Sequence, residues 1–177
     1  MGETILVLGG SRSGKSRLAE RLAGAAGPVT YVATATVDPA DPEMVARIER
    51  HQSRRPAHWT TREVPRALDE ALAALAESGG AVVIDCLTLW ISNLMLGLGG
   101  GEPWSDETIL AALGRAAEVS RGSARVIWVS NEVGSGVVPE NPVARRFADL
   151  QGLANQQLAA ACDLVHLCVA GLSLRLK

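Results

Sequence analysis

A mainly parallel α/β sheet with helices on both faces is the fold this sequence predicts, on three observations. Apolar runs of strand length, TILVL (4–8), VTYVATA (29–35), AVVIDCL (81–87) and ARVIWVS (124–130), recur with little polar alternation, the mark of strands buried on both faces. Segments with apolar residues at helical spacing fall between them. The first run leads directly into GGSRSGKS (9–16), which fits GxxxxGK[ST] at every specified position and lies between a strand and a helix, where a phosphate-binding loop has to lie.

After the first strand, KSRLAERLAGAAG (15–27) keeps helical spacing until Gly27-Pro28 stops it, and VTYVATA follows as the second strand. DPEMVARIERHQS (41–53) predicts a helix with Asp41 as N-cap and Pro42 in the first turn, Val45 and Ile48 being placed to face the core. VPRALDEALAALAES (64–78) predicts a helix closed by Gly79-Gly80, and AVVIDCL the third strand. A helix over about 107–120 follows the glycine-rich LGLGGGEP; next come ARVIWVS, the loop NEVGSGVVPENP and a long helix in VARRFADLQGLANQQLAAAC (143–162). LVHLCVAG and LSLRLK complete the sheet. Gly171 joins them too tightly for a helical crossover, so LSLRLK is expected antiparallel at one edge. One domain over 1–177 accommodates all of this.

A 47% hydrophobic, 20% charged composition is globular, and no apolar run approaches the roughly 18 uncharged residues of a membrane span. MGETILVLGG carries acid where a secretory signal carries base, and Leu6 stands where myristoylation expects a hydroxyl, so a cytoplasmic protein is expected. Cys86, Cys162 and Cys168 lack metal-ligand spacing and read as buried free thiols. A net charge of −2, with one Tyr and one Phe, disfavours a nucleic-acid partner, which needs basic surface and stacking platforms.

In the loop, glycines let backbone N–H groups turn toward phosphate oxygens, and the following helix adds the favourable end of its dipole. Lys15 is placed to reach the β- and γ-phosphates and Ser16 to bind Mg²⁺. Asp85, closing AVVID, is the candidate carboxylate for the metal's water shell on a neighbouring strand; capping the next segment is its alternative role. NEVG follows the strand RVIWVS where a signalling GTPase has Asn-Lys-x-Asp, and DCLTLW lacks Asp-x-x-Gly, which leaves small-molecule phosphoryl transfer as the leading class.

RIERHQSRRPAHW (47–59) adds a histidine that such chemistry does not need. On a helix, Arg47, His51 and Arg54 share an arc of roughly 60°, with Arg55 just outside it and Met44 adjoining. Surrounding cations disfavour the imidazolium, and a neutral imidazole has a lone pair that can attack phosphorus. Nucleophile and plain hydrogen-bonding partner in a basic patch stand as equal alternatives on spacing alone. His58 and His166 read as structural.

Together GGSRSGKS, YVATA, DPEMVARIERHQSRRPAHWTTREVP, VIDCLTLWISNLM and VSNEVGSGVVPENPVARRFADLQGLANQQLAAACDLVHLCVAGLSLRLK resemble, nearly end to end, the bifunctional adenosylcobinamide kinase / adenosylcobinamide-phosphate guanylyltransferase family of cobalamin biosynthesis. The resemblance implies a RecA-like P-loop sheet and two reactions. ATP or GTP phosphorylates adenosylcobinamide; GTP then guanylylates a histidine, from which GMP passes to the phosphorylated corrinoid to give adenosylcobinamide-GDP. The histidine in R-I-x-x-H corresponds to His51. The implied nucleotide contacts are Gly9, Gly10, Ser11, Arg12, Ser13, Gly14, Lys15 and Ser16 in the loop, Thr34, Ala35 and Thr36 in the ATAT turn, then Gln52, Ser53, Arg54, Arg55, Glu63 and Asp85. Glu63 is chemically suited to the guanine N1–H and amine, since a carboxylate accepts from both. Asn131 and Glu132 are implied near the corrinoid end, and a homo-oligomer, with a trimer as the candidate state, is implied for the assembly.

Overall fold

The computed structural model describes residues 2–36, 42–53 and 55–177; the side chains of Glu43, Met44, Arg47, Arg50 and His51 lie outside that description, as do the proposed N-cap Asp41 and Arg54. The strands are β1 (Thr4–Gly9), β2 (Val29–Ala33), β3 (Thr60–Glu63), β4 (Ala81–Asp85), β5 (Arg125–Asn131), β6 (Leu164–Val169) and β7 (Leu172–Arg175). They form one seven-stranded sheet in the order β3-β2-β4-β5-β1-β6-β7. All pairs are parallel except β6 with β7, where Val169 faces Leu172 across the turn. The expected antiparallel edge strand is therefore present.

The helices are α1 (Lys15–Gly24), α2 (Pro42–Ser53), α3 (Leu68–Leu75), α4 (Leu87–Leu96), α5 (Asp106–Val119) and α6 (Pro142–Ala161). Alternate strand residues serve opposite faces of the sheet. Ile5, Val7, Tyr31, Val83, Ile127 and Val129 pack with Leu18 and Ala19 of α1. On the other face Leu6, Val82, Ile84, Val126 and Trp128 pack with α3 to α6 through residues such as Leu72, Leu94, Leu113 and Leu158. The two cores explain the unbroken apolar runs: each central strand is covered on both sides. α5 and α6 start on side-chain caps, with Thr108 N–H donating to Ser105 Oγ at 3.2 Å and Val143 N–H to Asn141 Oδ1 at 2.8 Å.

Two elements had no counterpart in the sequence-based expectation. β3 is four residues long and exposed throughout, so it carries no apolar run; its place comes from parallel pairing of Thr30 with Thr60 and of Ala33 with Glu63. α4 continues the apolar run of β4 and is buried nearly all round, including Leu87, Trp90, Ile91, Leu94 and Met95, so no amphipathic period sets it off. α3 begins at Leu68 rather than Val64. The residues ahead of it are drawn into a different structure, in which Arg66 donates to the carbonyls of Asn93 at 3.2 Å, Leu98 at 2.9 Å and Glu102 at 2.8 Å and so binds the glycine-rich loop after α4.

Trp90 lies fully inside, and its indole N–H donates to the Arg66 carbonyl at 2.6 Å. Trp90→Ala is expected to lower stability by about 3–5 kcal/mol, with chemical denaturation at unchanged slope as the check. Among the described residues no helix is long and apolar enough to cross a membrane.

Candidate active site

The loop Gly9–Ser16 runs from the end of β1 to the start of α1, as the motif requires. At Gly9 a side chain has no room: a Cβ there would lie 2.4 Å from Ser13 Oγ and 2.6 Å from the Cys168 carbonyl oxygen. Gly14 takes a left-handed conformation with φ of 99° and its absent Cβ would approach Gly171 Cα to 3.1 Å. The turn between β6 and β7 thus braces the loop, and Gly171 N–H donates to the Ser13 carbonyl at 2.9 Å. Ser11 and Arg12 are exposed on the crest of the loop, while Ser13 Oγ is buried without a hydrogen-bond partner. Lys15 is 8% exposed, and its ammonium donates to the Gly10 carbonyl at 3.1 Å.

Lys15 and Ser16 line a cleft of about 180 Å³ together with Tyr31, Ala35, Ile48, Gln52, Arg55, Thr61, Glu63, Asp85, Leu89 and Asn131. Asp85 is at the carboxyl end of β4, which is not adjacent to the loop strand: β5 lies between β4 and β1. The placement on a neighbouring strand is corrected to one strand further out, and the carboxylate still shares the cleft with Lys15 and Ser16. Cys86, not Asp85, occupies the cap position of α4. The Tyr31 hydroxyl donates to Asp85 Oδ2. Burial raises the Tyr31 pKa well above the phenolic range, the Asp85 charge raises it further and Arg55 acts against both, so the group stays a donor.

The ATAT turn divides its residues between cleft and scaffold. Ala35 lines the cleft. Thr34 is fully buried: its Oγ1 donates to the Cys86 carbonyl at 2.7 Å and accepts from the Cys86 N–H at 2.8 Å, and its backbone N–H donates to the Asp85 carbonyl at 3.3 Å, so it serves the scaffold. Thr36 Oγ1 donates to Asn93 Oδ1 at 3.3 Å. Asn93 in turn donates to the carbonyls of Thr34 at 2.7 Å and Pro65 at 3.0 Å, which ties the turn to α4.

α2 brings Gln52 and Ile48 to the cleft, so Ile48 faces the site instead of the core position expected of it. Ser53 is exposed. His51 occupies the same last turn of α2, its backbone helical. Arg55 follows, its guanidinium 3.5 Å above the Tyr31 ring centroid and its Nη1 donating to Thr61 Oγ1 at 3.3 Å. Glu63, the last residue of β3, faces the cleft from the far side of β2.

Asn131 ends β5 directly opposite Gly9 in register. Its N–H donates to Thr88 Oγ1 at 2.9 Å and its carbonyl accepts from Asn155 at 3.0 Å, while Oδ1 is buried without a partner. Asn155 is itself fixed by Ser130 at 2.7 Å and by Gln151 at 3.0 Å. Glu132 is exposed and accepts from Gly134 N–H at 3.0 Å. Tyr31, Thr61 and Leu89 were missed at the sequence level because none belongs to a phosphate motif; the strand pairing of β2 with β3 and β4 places Tyr31 and Thr61, and the first turn of α4 after β4 places Leu89. The Cys86 thiol, pushed up to about 11 by burial and then by Asp85, remains protonated, and all three cysteines are buried and free. His58 is exposed, and burial with the nearby Arg175 lowers the pKa of His166 in β6.

The profile of the CobU family, cobinamide kinase / cobinamide phosphate guanyltransferase, matches residues 5–176. The bifunctional adenosylcobalamin biosynthesis protein CobU of Salmonella typhimurium is 45% identical over 182 residues, covering 98% of this chain and 99% of that protein. The bifunctional adenosylcobalamin biosynthesis protein CobP of Pseudomonas aeruginosa is 47% identical over 178 residues, covering 97% and 96%. Among solved structures, a prototypical ATPase of a bacterial type III secretion system has a TM-score of 0.60 at 14% identity, covering 99% of this chain and 57% of that one. The assembled ATPase EscN of enteropathogenic E. coli has a TM-score of 0.58 at 13% identity, covering 96% and 43%. These likenesses show the P-loop ATPase fold alone. On a match that runs nearly the full length of chain and relatives alike, the chain belongs to the cobinamide kinase / cobinamide phosphate guanyltransferase family, as a bifunctional enzyme of adenosylcobalamin biosynthesis.

Proposed function

We propose that both reactions use this one cleft and that His51 carries the guanylyl group between them. The observation that supports the reading is the meeting of two walls: Lys15, Ser16 and Asp85 on one, Gln52, Arg55 and Glu63 on the other. In the kinase reaction ATP or GTP lies along the loop Gly9–Ser16, and the terminal hydroxyl of adenosylcobinamide attacks the γ-phosphorus; the bond to the β–γ bridging oxygen breaks and the nucleoside diphosphate leaves. In the second reaction a neutral His51 nitrogen attacks the α-phosphorus of GTP and pyrophosphate leaves. A phosphate oxygen of the phosphorylated corrinoid then attacks the same phosphorus, the P–N bond breaks, and His51 is restored.

The chemistry of the donor set suits Mg²⁺. Among the described residues no group of three or more His, Cys, Asp and Glu could hold a metal alone, so one or two protein oxygens would share the ion with phosphates and water. Ser16 and Asp85 would be those residues. When bound, the ion supplies neutralisation of the triphosphate charge. Lys15 and Arg55 hold phosphate oxygens from opposite sides.

Glu63 reads the guanine. Glu63→Ala is expected to weaken GTP binding about tenfold while leaving ATP binding unchanged, because a lost pair of hydrogen bonds to a charged acceptor affects only the base that donates them. Calorimetry with each nucleotide is the check, and equal losses for both would remove Glu63 from base recognition. A cytoplasmic homo-oligomer, with a trimer as the candidate state, belongs to the same reading. The edge strand β7, with Leu172, Leu174 and neighbouring Leu176 exposed, supports an association surface. The covalent step is tested by incubation with α-labelled GTP: label on the denatured protein that is acid-labile and alkali-stable supports a phosphohistidine, and absence of label removes the reading.

A further inference from the structure

Tyr31 is the chain's single tyrosine, 2% exposed at the centre of β2, and its two ends are engaged by opposite walls of the cleft. Its hydroxyl donates to Asp85 Oδ2 on β4, the strand to one side. Its ring is the surface over which the Arg55 guanidinium lies, 3.5 Å from the centroid, and Arg55 is tied through Thr61 to β3, the strand to the other side. A core position asks only for apolar volume, which Val29 and Val32 supply elsewhere in the same strand. A buried hydroxyl aimed at a cleft carboxylate and a ring under a cleft guanidinium are two further features; Arg55 also acts on the hydroxyl, but its seat is the face of the ring.

We propose that Tyr31 is a positioning residue that sets the two walls of the cleft against one another. Its hydroxyl orients the Asp85 carboxylate toward the metal-bearing phosphates, and its ring seats Arg55 toward the nucleotide's phosphate oxygens. The inference rests on the reading of Asp85 as the metal-side carboxylate. Loss of the hydroxyl leaves the Asp85 side chain one hydrogen bond short and able to turn away, so cation affinity falls; loss of the ring also releases Arg55, so affinity for the nucleotide falls even without metal.

The two contributions separate in a binding experiment on the full chain. Mn²⁺ is titrated by electron paramagnetic resonance in the presence of α,β-methylene-GTP, whose α–β bridge resists cleavage, and affinity for the same analogue is measured in EDTA. Tyr31→Phe is expected to raise the half-saturating Mn²⁺ concentration at least fivefold and to leave the metal-free affinity within twofold. Tyr31→Leu is expected to show the same Mn²⁺ defect and, in addition, at least a fivefold loss of metal-free affinity; if that variant fails to fold, Arg55→Gln tests the same seat and is expected to show the metal-free loss alone. A tyrosine that only fills the core would lower unfolding temperatures and leave both titrations at parental values, which would overturn the proposal. So would unchanged or tighter Mn²⁺ binding by Tyr31→Phe. Asp85→Asn distinguishes the failures: if it binds Mn²⁺ as the parent does, the metal reading of Asp85 falls and takes this inference with it; if it weakens Mn²⁺ while Tyr31→Phe does not, the Tyr31 inference alone falls.

Discussion

His51→Ala enzyme incubated with α-labelled GTP is expected to carry no label after denaturation, whereas the parent chain carries it. The proposed guanylylated intermediate needs a nucleophilic nitrogen, and His51 is in the last turn of the helix that brings Gln52 to the cleft, four residues before Arg55. Alanine removes the nitrogen and leaves the helix intact, since it is the best helix former. Guanylyl transfer to adenosylcobinamide phosphate should fall by at least about 10³-fold, as when a covalent route is deleted and only binding effects remain. The kinase reaction should persist within about tenfold, because direct attack of a hydroxyl on the γ-phosphorus needs positioning and charge stabilisation but no protein nucleophile. Label persisting on the variant would move the nucleophile elsewhere, with His58 the next histidine to test.

Lys15→Ala should slow both reactions together. The lysine is nearly buried at the head of α1, and its ammonium is aimed back over the loop at Gly10. It cannot be replaced by a surface cation reaching in. Removing one preorganised charge from a water-poor site typically lowers kcat by about 10²–10³. Both half-reactions should show that loss, measured separately with γ- and α-labelled GTP, and the unfolding temperature should stay close to the parent's because the change removes no apolar side chain from either core cluster. A loss confined to one reaction would mean that the nucleotide lies differently in the other and that the two walls do not act on one bound triphosphate.

The fold was legible wherever burial imposed a pattern. Central strands β1, β2, β4 and β5 are covered on both faces, so their apolar runs announced them. The tight turn at Gly171 announced the antiparallel edge. β3 and α4 failed for opposite reasons: β3 buries nothing and is held by backbone pairing, while α4 buries nearly everything and has no polar face to give it a period. The site followed the same rule. Motif residues such as Lys15 and Ser16 are fixed by local chain geometry, so sequence spacing located them. Tyr31 and Arg55 are far apart in the chain and meet only because β2 and β3 pair, and the single intervening strand between Gly9 and Asp85 is a fact of sheet order that no local spacing encodes.

The brace on the phosphate loop has a consequence for how the protein is made. Ser13 is tied to Gly171, Gly14 presses against the same glycine, and Gly9 approaches the carbonyl of Cys168. On the ribosome the loop is synthesised early and its brace late. A nascent chain with β1 and α1 complete still lacks the surface that holds the loop in shape, and the same backbone amides must wait for the β6–β7 hairpin before they converge. The loop's shape is therefore completed only once the β6–β7 hairpin has been made and has folded against it.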